Sequence, residues 1–196
     1  MFQIRALQKR DIEEATNILS KSFSQGEPMS YILGLKEKDF YSFMKLYCEN
    51  SINNDISFVC IDEVNLKVCG VLICEDNDSI EIKLSDLNEN LYKIFELLDE
   101  VSKDINKDKN NLHIFMCGVD ETYRKQGIGK KLLNHLLNKN LKYDLIFAEA
   151  TGIYSQKILK DLNFIIKNEI FYSDTNDFQD IENKTNHKSL QLLIKE

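Results

Sequence analysis

Apolar positions recur along the chain with two different periods. Ile12, Ala15, Ile18 and Leu19 repeat at helical spacing, and Asp11 with Glu14 has the spacing of an N-terminal capping pair, so the pattern predicts a first helix over 11–23. Phe40, Phe43, Met44 and Tyr47 line one face of a second helix over about 39–52. "ISFVCIDE" and "KVCGVLICED" are instead continuous apolar runs of strand length, separated by a short polar stretch at 63–66. They predict an antiparallel hairpin. "ENLYKIFELLDEVSKDI" returns to helical period through Leu91, Ile94, Phe95, Leu98 and Val101.

"KDKNN" then breaks the chain, and "LHIFMCGV" reads as a buried strand running straight into a glycine turn. Leu132, Leu133, Leu136 and Leu137 give the segment after the turn a helical inner face. "DLIFAEAT" reads as another buried strand, "YSQKILKDL" as a helix, and "FIIKNEIFY" and "SLQLLIKE" as closing strands. Between those last two, the polar "DTNDFQDIENKTN" is expected to be a mobile loop. Strands interleaved with helices predict an α/β fold.

Composition limits what such a fold can be. With 196 residues, 43% of them hydrophobic, the chain can bury a sizeable core, and no Pro/Gly/Ser-rich linker divides it, so one domain over 1–196 is expected. No apolar run approaches the roughly 20 residues of a membrane span. The N-terminal "MFQIRALQKRDIEE" turns charged too soon for a signal peptide, and the expectation is a cytoplasmic protein without a membrane partner. A net charge of -7 disfavours nucleic acid, whose binders present a basic face. The five cysteines lack CxxC spacing and the three histidines lack paired-ligand spacing. Free thiols and no protein metal site are expected.

The chemistry concentrates in "VDETYRKQGIGKKLLNHLL". Glycine lets backbone approach a ligand closely, and the first amides of the following helix have no partners within it, so the turn is suited to an anion, most simply a phosphate. A P-loop would need GxxxxGK followed by Ser or Thr, and a Rossmann turn would need a third glycine. Neither is present.

What is present, Arg124-Lys125-Gln126-Gly127-Ile128-Gly129 after a strand, resembles the acyl-CoA signature of the GNAT superfamily of N-acyltransferases, and the order of predicted elements resembles that fold over nearly the whole chain. The resemblance implies a central mixed, mostly antiparallel sheet with splayed middle strands, flanked by helices. It implies acetyl-CoA as cosubstrate, its pyrophosphate on the turn amides with Lys130 beside them, and its pantetheine arm along the backbone of Met116, Cys117, Gly118 and Val119. The thioester would then point toward Ala148 to Thr151.

"FSQGEPMSYILGL" and "ATGIYSQKILKDLNF" resemble the arylalkylamine N-acetyltransferase branch more narrowly. By that likeness Glu27 is the general base and Thr151 and Ser155 are the hydroxyls that assist departure of the thiolate. Tyr31, Glu149, Tyr154 and His187 are expected on the acceptor side. Two departures stand out: Asn163 replaces the usual glycine after the helix, and Leu159 replaces a tyrosine that many members use as acid. Asn tolerates the left-handed cap conformation next best after glycine.

The implied activity is acetyl transfer from acetyl-CoA to a small primary amine, an arylalkylamine or polyamine, by direct attack in a ternary complex, in a monomer or homodimer. Two other readings remain: a non-catalytic acyl-CoA sensor, in keeping with the missing tyrosine, and an acetyltransferase of proteins or peptides. On the residues alone Glu27 also reads as a solvated loop glutamate, and Ser155 as an ordinary helix-start residue.

Overall fold

The computed structural model describes residues 1–52, 54–77, 88–139 and 142–196. In chain order they form β1 (Phe2–Ala6), α1 (Ile12–Gly26), α2 (Pro28–Ile32), α3 (Glu37–Asn50), β2 (Phe58–Asp62), β3 (Lys67–Glu75), α4 (Glu89–Ser102), β4 (Asn111–Val119), α5 (Ile128–Leu137), β5 (Leu145–Ala150), α6 (Ile153–Asp161), β6 (Ile165–Phe171), α7 (Ile181–Thr185) and β7 (Ser189–Lys195). The strands make one sheet in the order β1-β2-β3-β4-β5-β7-β6. Every pairing is antiparallel except that of β4 with β5. The mixed, mostly antiparallel sheet that the family resemblance implied is therefore present.

The exception organises the molecule. β4 and β5 pair only at Asn111–Leu145, Leu112–Ile146 and His113–Phe147, although β4 runs on to Val119 and β5 to Ala150. Past His113 the two strands part. The register of β4 against β3 shifts between Ile73 and Cys74, which leaves Phe115 as an extra residue opposite them, and such a bulge bends its strand and increases its twist. β5 meanwhile stays paired with β7 as far as Ala150–Gln191.

Helices cover both faces. Leu19, Phe40, Met44 and Leu91 from α1, α3 and α4 pack with Val71, Ile73 and Met116 on one side. Ile128, Leu132 and Leu136 of α5 and Leu159 of α6 pack with Leu72, Leu112 and Ile114 on the other. These contacts are the inner faces that the helical and strand periods predicted. The start of α5 rests on Gly70 of β3, where a Cβ would lie 2.5 Å from Ile128 Cγ2.

Three expectations are corrected. The N-terminal strand β1, absent from the sequence reading, pairs along its length with β2. Asp11 and Glu14 do not form a capping pair: Asp11 takes two hydrogen bonds from Arg5, at 2.6 and 2.8 Å, while Glu14 accepts from the amide of Val68 at 2.7 Å. The polar segment expected as a mobile loop contains α7 and seats Phe178 and Ile181 in the core beside Tyr172. Two apolar residues suffice to anchor it because both are buried, with 3% and 0% of their surface exposed.

The close approach at Gly70 gives a stability prediction. Gly70→Ala should lower the unfolding free energy in urea by about 1–3 kcal/mol, the usual cost of overpacking a dense core. A change below about 0.5 kcal/mol, the range of ordinary surface substitutions, would show that α5 is not held against β3 as described.

Candidate active site

β4 leads into the glycine turn through a short 3-10 turn at Glu121–Tyr123, which Asp120 caps by accepting from the amide of Thr122 at 2.9 Å. Tyr123 donates to Asp62 at 2.8 Å and so ties the turn to the β2–β3 hairpin. Lys125 and Gly127 both adopt positive φ, 62° and 75°. Gly127 is the N-cap of α5 and has no side chain to cap it. The first in-helix hydrogen bond runs from Lys131 N to Gly127 O, which leaves the amides of Ile128, Gly129 and Lys130 without helical partners. Arg124, Lys125, Gln126 and Gly127 are exposed around them. This is a cationic, amide-lined anion cradle.

Gly129 is informative because the fold does not need it. Its φ is not positive, and a Cβ there would meet only ordinary contacts, Cys117 Sγ at 3.8 Å and Ile158 Cδ1 at 3.9 Å. A glycine kept at a helix start without a steric demand from the chain fits close approach of something else. Gly118 is different. A Cβ there would press on Leu19 at 3.1 Å and Ser22 at 3.2 Å, so the packing of α1 against β4 also calls for a glycine at this position.

Met116 is buried in the core, so it can offer a ligand only its backbone. Cys117 is exposed on the α5 side of the strand, yet desolvation by its dense surroundings pushes its thiol up to about 12. The group stays a thiol at neutral pH and is a poor nucleophile. A cleft of about 290 Å³ runs between α1 and the turn, bordered by Asn17, Lys21, Ser22, Asp120 and Arg124.

Glu27 lies at the junction of α1 and α2, buried, with Pro28 opening the second helix. Its Oε2 accepts from the amide and hydroxyl of Ser30, both at 2.6 Å, and its Oε1 from the amide of Met29 at 3.1 Å. It is thus not a solvated loop residue but the N-cap of α2. Burial, the largest influence, raises its pKa above the ordinary carboxylate value and outweighs the opposing hydrogen bonds from Ser30, Met29 and, weakest, the hydroxyl of Thr151. That last contact joins α2 to the end of β5. Pro28 Cδ is 3.9 Å from where a Cβ on Gly152 would be, which holds Glu27 beside Thr151.

Tyr172 and His187 support the same corner. The Tyr172 hydroxyl donates to Thr151 O at 2.7 Å, and its pKa is raised by burial and by the charge of Glu27. His187 Nδ1 accepts from the amide of Ile153 at 3.1 Å, so its proton is on Nε2, and burial lowers its pKa. His187 therefore holds the start of α6. Ser155, exposed on the first turn of α6, donates back to Gly152 O at 2.9 Å. The structure brings Glu27 and Thr151 together directly, and Ser155 through the α6 start.

The other predicted residues make contacts of their own, Tyr154 edge-on to the His187 ring. Lys130 pairs with Asp161 of α6 at 3.5 Å. Tyr31 and Tyr154 are exposed, at 56% and 75%. Glu149 is bound to His113 at 2.5 Å. Asn163 does adopt the left-handed conformation, φ 65°, and Leu159 is buried in the core. The sequence reading missed His113, whose carboxylate partners lie on two other strands, and Tyr172, whose partner Thr151 is distant in sequence. No local spacing carries either signal.

The Acetyltransferase (GNAT) family profile matches residues 13–152. Among solved structures, the chain resembles arylalkylamine N-acetyltransferase 2 from Aedes aegypti, with 23% identity, a TM-score of 0.82, and 99% of this chain and 98% of that one covered. It also resembles a Drosophila melanogaster polyamine N-acetyltransferase that forms N-acetylagmatine, at 17% identity and a TM-score of 0.76, covering 100% and 99%. A third similar structure is the C-terminal condensation domain of Ebony in complex with beta-alanyl-dopamine, at 16% identity and a TM-score of 0.80, covering 100% and 98%. At these identities the likeness establishes a shared fold. Among curated protein sequences no significant match was found.

The contrast at Gly129 yields a prediction. Gly129→Ala should leave stability unchanged or raised by up to about 1 kcal/mol, the helix preference of alanine over glycine, while weakening CoA binding at least about 10-fold in calorimetry. Undiminished CoA affinity would mean that the cradle is not the phosphate site.

The buried imidazole supplies a pH prediction. His113 is held up to about 10: burial, the largest influence, opposes the charge, but the charge and hydrogen bonds of Glu149 and Glu75 outweigh it. A raised histidine contributes stability that is complete below its unfolded pKa of about 6.5 and is lost as pH rises through about 10. The melting temperature of the wild type should therefore fall between pH 8 and pH 10.5 by more than that of His113→Gln. Parallel curves would contradict it.

Proposed function

Because the chain belongs to the GNAT acetyltransferase family, we propose that it moves an acetyl group from acetyl-CoA to the primary amine of a small molecule, by direct attack within a ternary complex. The observation that carries this reading is the open edge of β4 past His113, which leads into helix-start amides at a glycine the fold itself does not require. Bound acetyl-CoA supplies an activated thioester; the chain's residues supply the rest.

The residues fit that cosubstrate. The amides of Ile128 to Lys130, with Arg124 and Lys125 beside them, match a pyrophosphate. The edge of Met116 to Val119 that faces away from β3, where β5 supplies no register partner, matches an extended amide-bearing arm, which it would bind as an added strand. A backbone N–H on that edge is suited to charge developing on a carbonyl oxygen.

Glu27 takes the proton. An alkylamine with a pKa near about 10.4 is almost all ammonium at neutral pH and must lose a proton to attack. Ser30, Met29 and Thr151 hold the Glu27 carboxylate in place, and the amine proton passes to this carboxylate. Burial raises the pKa of this carboxylate, which strengthens it as a base. On departure, the thiolate meets hydroxyl donors from Thr151, freed from its bond to Glu27 once that carboxylate has taken the proton, and from Ser155, after its bond to Gly152 O is released. Cys117, an exposed thiol whose pKa is raised rather than lowered by its surroundings, is a poor nucleophile and argues against a covalent acyl-enzyme.

The acceptor class we favour is an arylalkylamine or a polyamine, supported by the activities of the similar Aedes and Drosophila enzymes. We assign the activity to one domain over 1–196, acting in the cytoplasm as a monomer or homodimer. No helix among the described residues is long and apolar enough to cross a membrane.

Thiol release from acetyl-CoA across arylalkylamines, polyamines and short peptides tests the reading. Glu27→Gln should lower kcat/KM on the preferred amine by at least about 100-fold, with CoA affinity unchanged. The wild-type profile should lose kcat/KM as pH falls through a pKa above the ordinary carboxylate range, because the raised carboxyl is protonated below it, and the variant should lack that limb. CoA binding without turnover on any amine would favour a sensor, and turnover confined to peptides would favour a protein acetyltransferase.

A further inference from the structure

Three ionisable side chains outside this reaction path form a row across the sheet where it parts. Glu75, on β3, is the register partner of His113. His113 is the last β4 residue paired with β5. Glu149 lies on β5 just past Phe147, the strand partner of His113. His113 Nδ1 is 3.3 Å from Glu75 Oε2, and Nε2 is 2.5 Å from Glu149 Oε2. The ring is stacked on Phe147, with centroids 4.5 Å apart and planes 4° from parallel, and packs on Phe115 from the other direction of the strand.

The direction of the Glu149 contact matters. If the parallel ladder continued, Glu149 would come opposite Phe115. Phe115 is the bulge residue, and the Glu149 carboxylate reaches back diagonally to His113. Diagonal neighbours on one face of a sheet are within reach of long side chains. The bond thus ties the first unpaired turn of β5 to the last paired residue of β4.

Each ring nitrogen faces a carboxylate, and only an imidazolium donates from both. The surrounding groups agree with that charge. Beside Glu75 and Glu149, Asp99 of α4 feels both His113 and Glu149, and the Tyr47 phenol of α3 is raised by burial and then by Glu75. Glu149 is lowered because His113 outweighs its burial, the largest influence. An imidazolium that already carries both protons cannot accept another, so the row is not a base. Its side chains are satisfied by one another and, for Glu149, by Ser102 as well, and a ligand would have to displace a partly buried ion pair.

We propose that the Glu75–His113–Glu149 row is a staple that fixes where β4 and β5 part, and thereby sets the open edge of β4 against the pantetheine arm. His113 and Glu149 are then positioning residues for acyl-CoA. The inference rests on the acyl-CoA reading above and assigns Glu149 to His113 where the sequence resemblance had it on the acceptor side.

The test uses the full chain. His113→Gln and Glu149→Gln should each weaken CoA binding in calorimetry, and raise the KM for acetyl-CoA, by about 10-fold, since small misplacements of a binding edge have effects of this order or larger. kcat at saturation should stay within about twofold of wild type in both. The double variant should bind CoA no worse than the weaker single variant, because the two residues act as one unit. His113→Arg, which restores a two-sided cationic donor, should recover part of the affinity. A further readout needs no variant: the His113 imidazole nitrogens should remain doubly protonated at pH 8 in a nitrogen-15 NMR titration. Unchanged CoA affinity in folded variants, or titration of His113 near its unperturbed value of about 6.5, would overturn the staple while leaving the acyl-CoA reading intact. A wild type that binds no CoA would overturn that reading first and remove the staple's role with it.

Discussion

The structure depends on a sheet that stops pairing in its own middle. A strand edge inside a protein carries N–H and C=O groups that must find partners, and leaving one buried and unmet costs about 1–3 kcal/mol. β4 and β5 make three register pairs and then diverge, so several such groups face a crevice. The arrangement is stable because β4 remains paired with β3 on its other edge and β5 with β7 on its own. Only the inner edges are open. In the proposed reading, an extended ligand that donates and accepts along its length would complete them, with the glycine turn and the helix start following in the same stretch of chain.

The residues around the crevice combine structural and chemical duties. Glu27 caps α2 with both carboxylate oxygens, yet its burial raises the pKa that a base requires. The cap fixes the carboxylate in place, and the Pro28 contact with Gly152 and the hydroxyl of Thr151 bring it to the end of β5. Tyr172 and His187 hold that end from behind through Thr151 O and the amide of Ile153. The segment between β6 and β7 thus belongs to the site's support, anchored by Phe178 and Ile181.

Much of this was legible in the sequence wherever the signal is local. Helical periods and apolar runs of strand length located α1, α3 to α6 and β2 to β7 to within a few residues, because the helices bury one face and strands such as β2 and β3 bury both. The hairpin turn at 63–66 lies between β2 and β3 as read. Asn163 was read as a left-handed cap because it stands where the family resemblance puts a glycine, and it adopts that conformation. What stayed hidden depends on distant partners. β1 is short and is defined by its register with β2; Asp11 and Glu14 had the spacing of a cap but found stronger partners in Arg5 and Val68. His113 looked like an isolated histidine because its carboxylates come from β3 and β5. Gly118 and Gly70 are glycines for reasons of helix packing that only the folded chain reveals.

The central claim is that the open edge of β4 and the start of α5 form one continuous acyl-CoA site. Amide hydrogen exchange of the full chain, with and without CoA, tests it most directly. Slowed exchange at the crevice-facing amides of Met116 to Val119, together with those of Ile128 to Lys130, is the predicted result. Protection confined to other segments, or none at saturating CoA, would contradict the account.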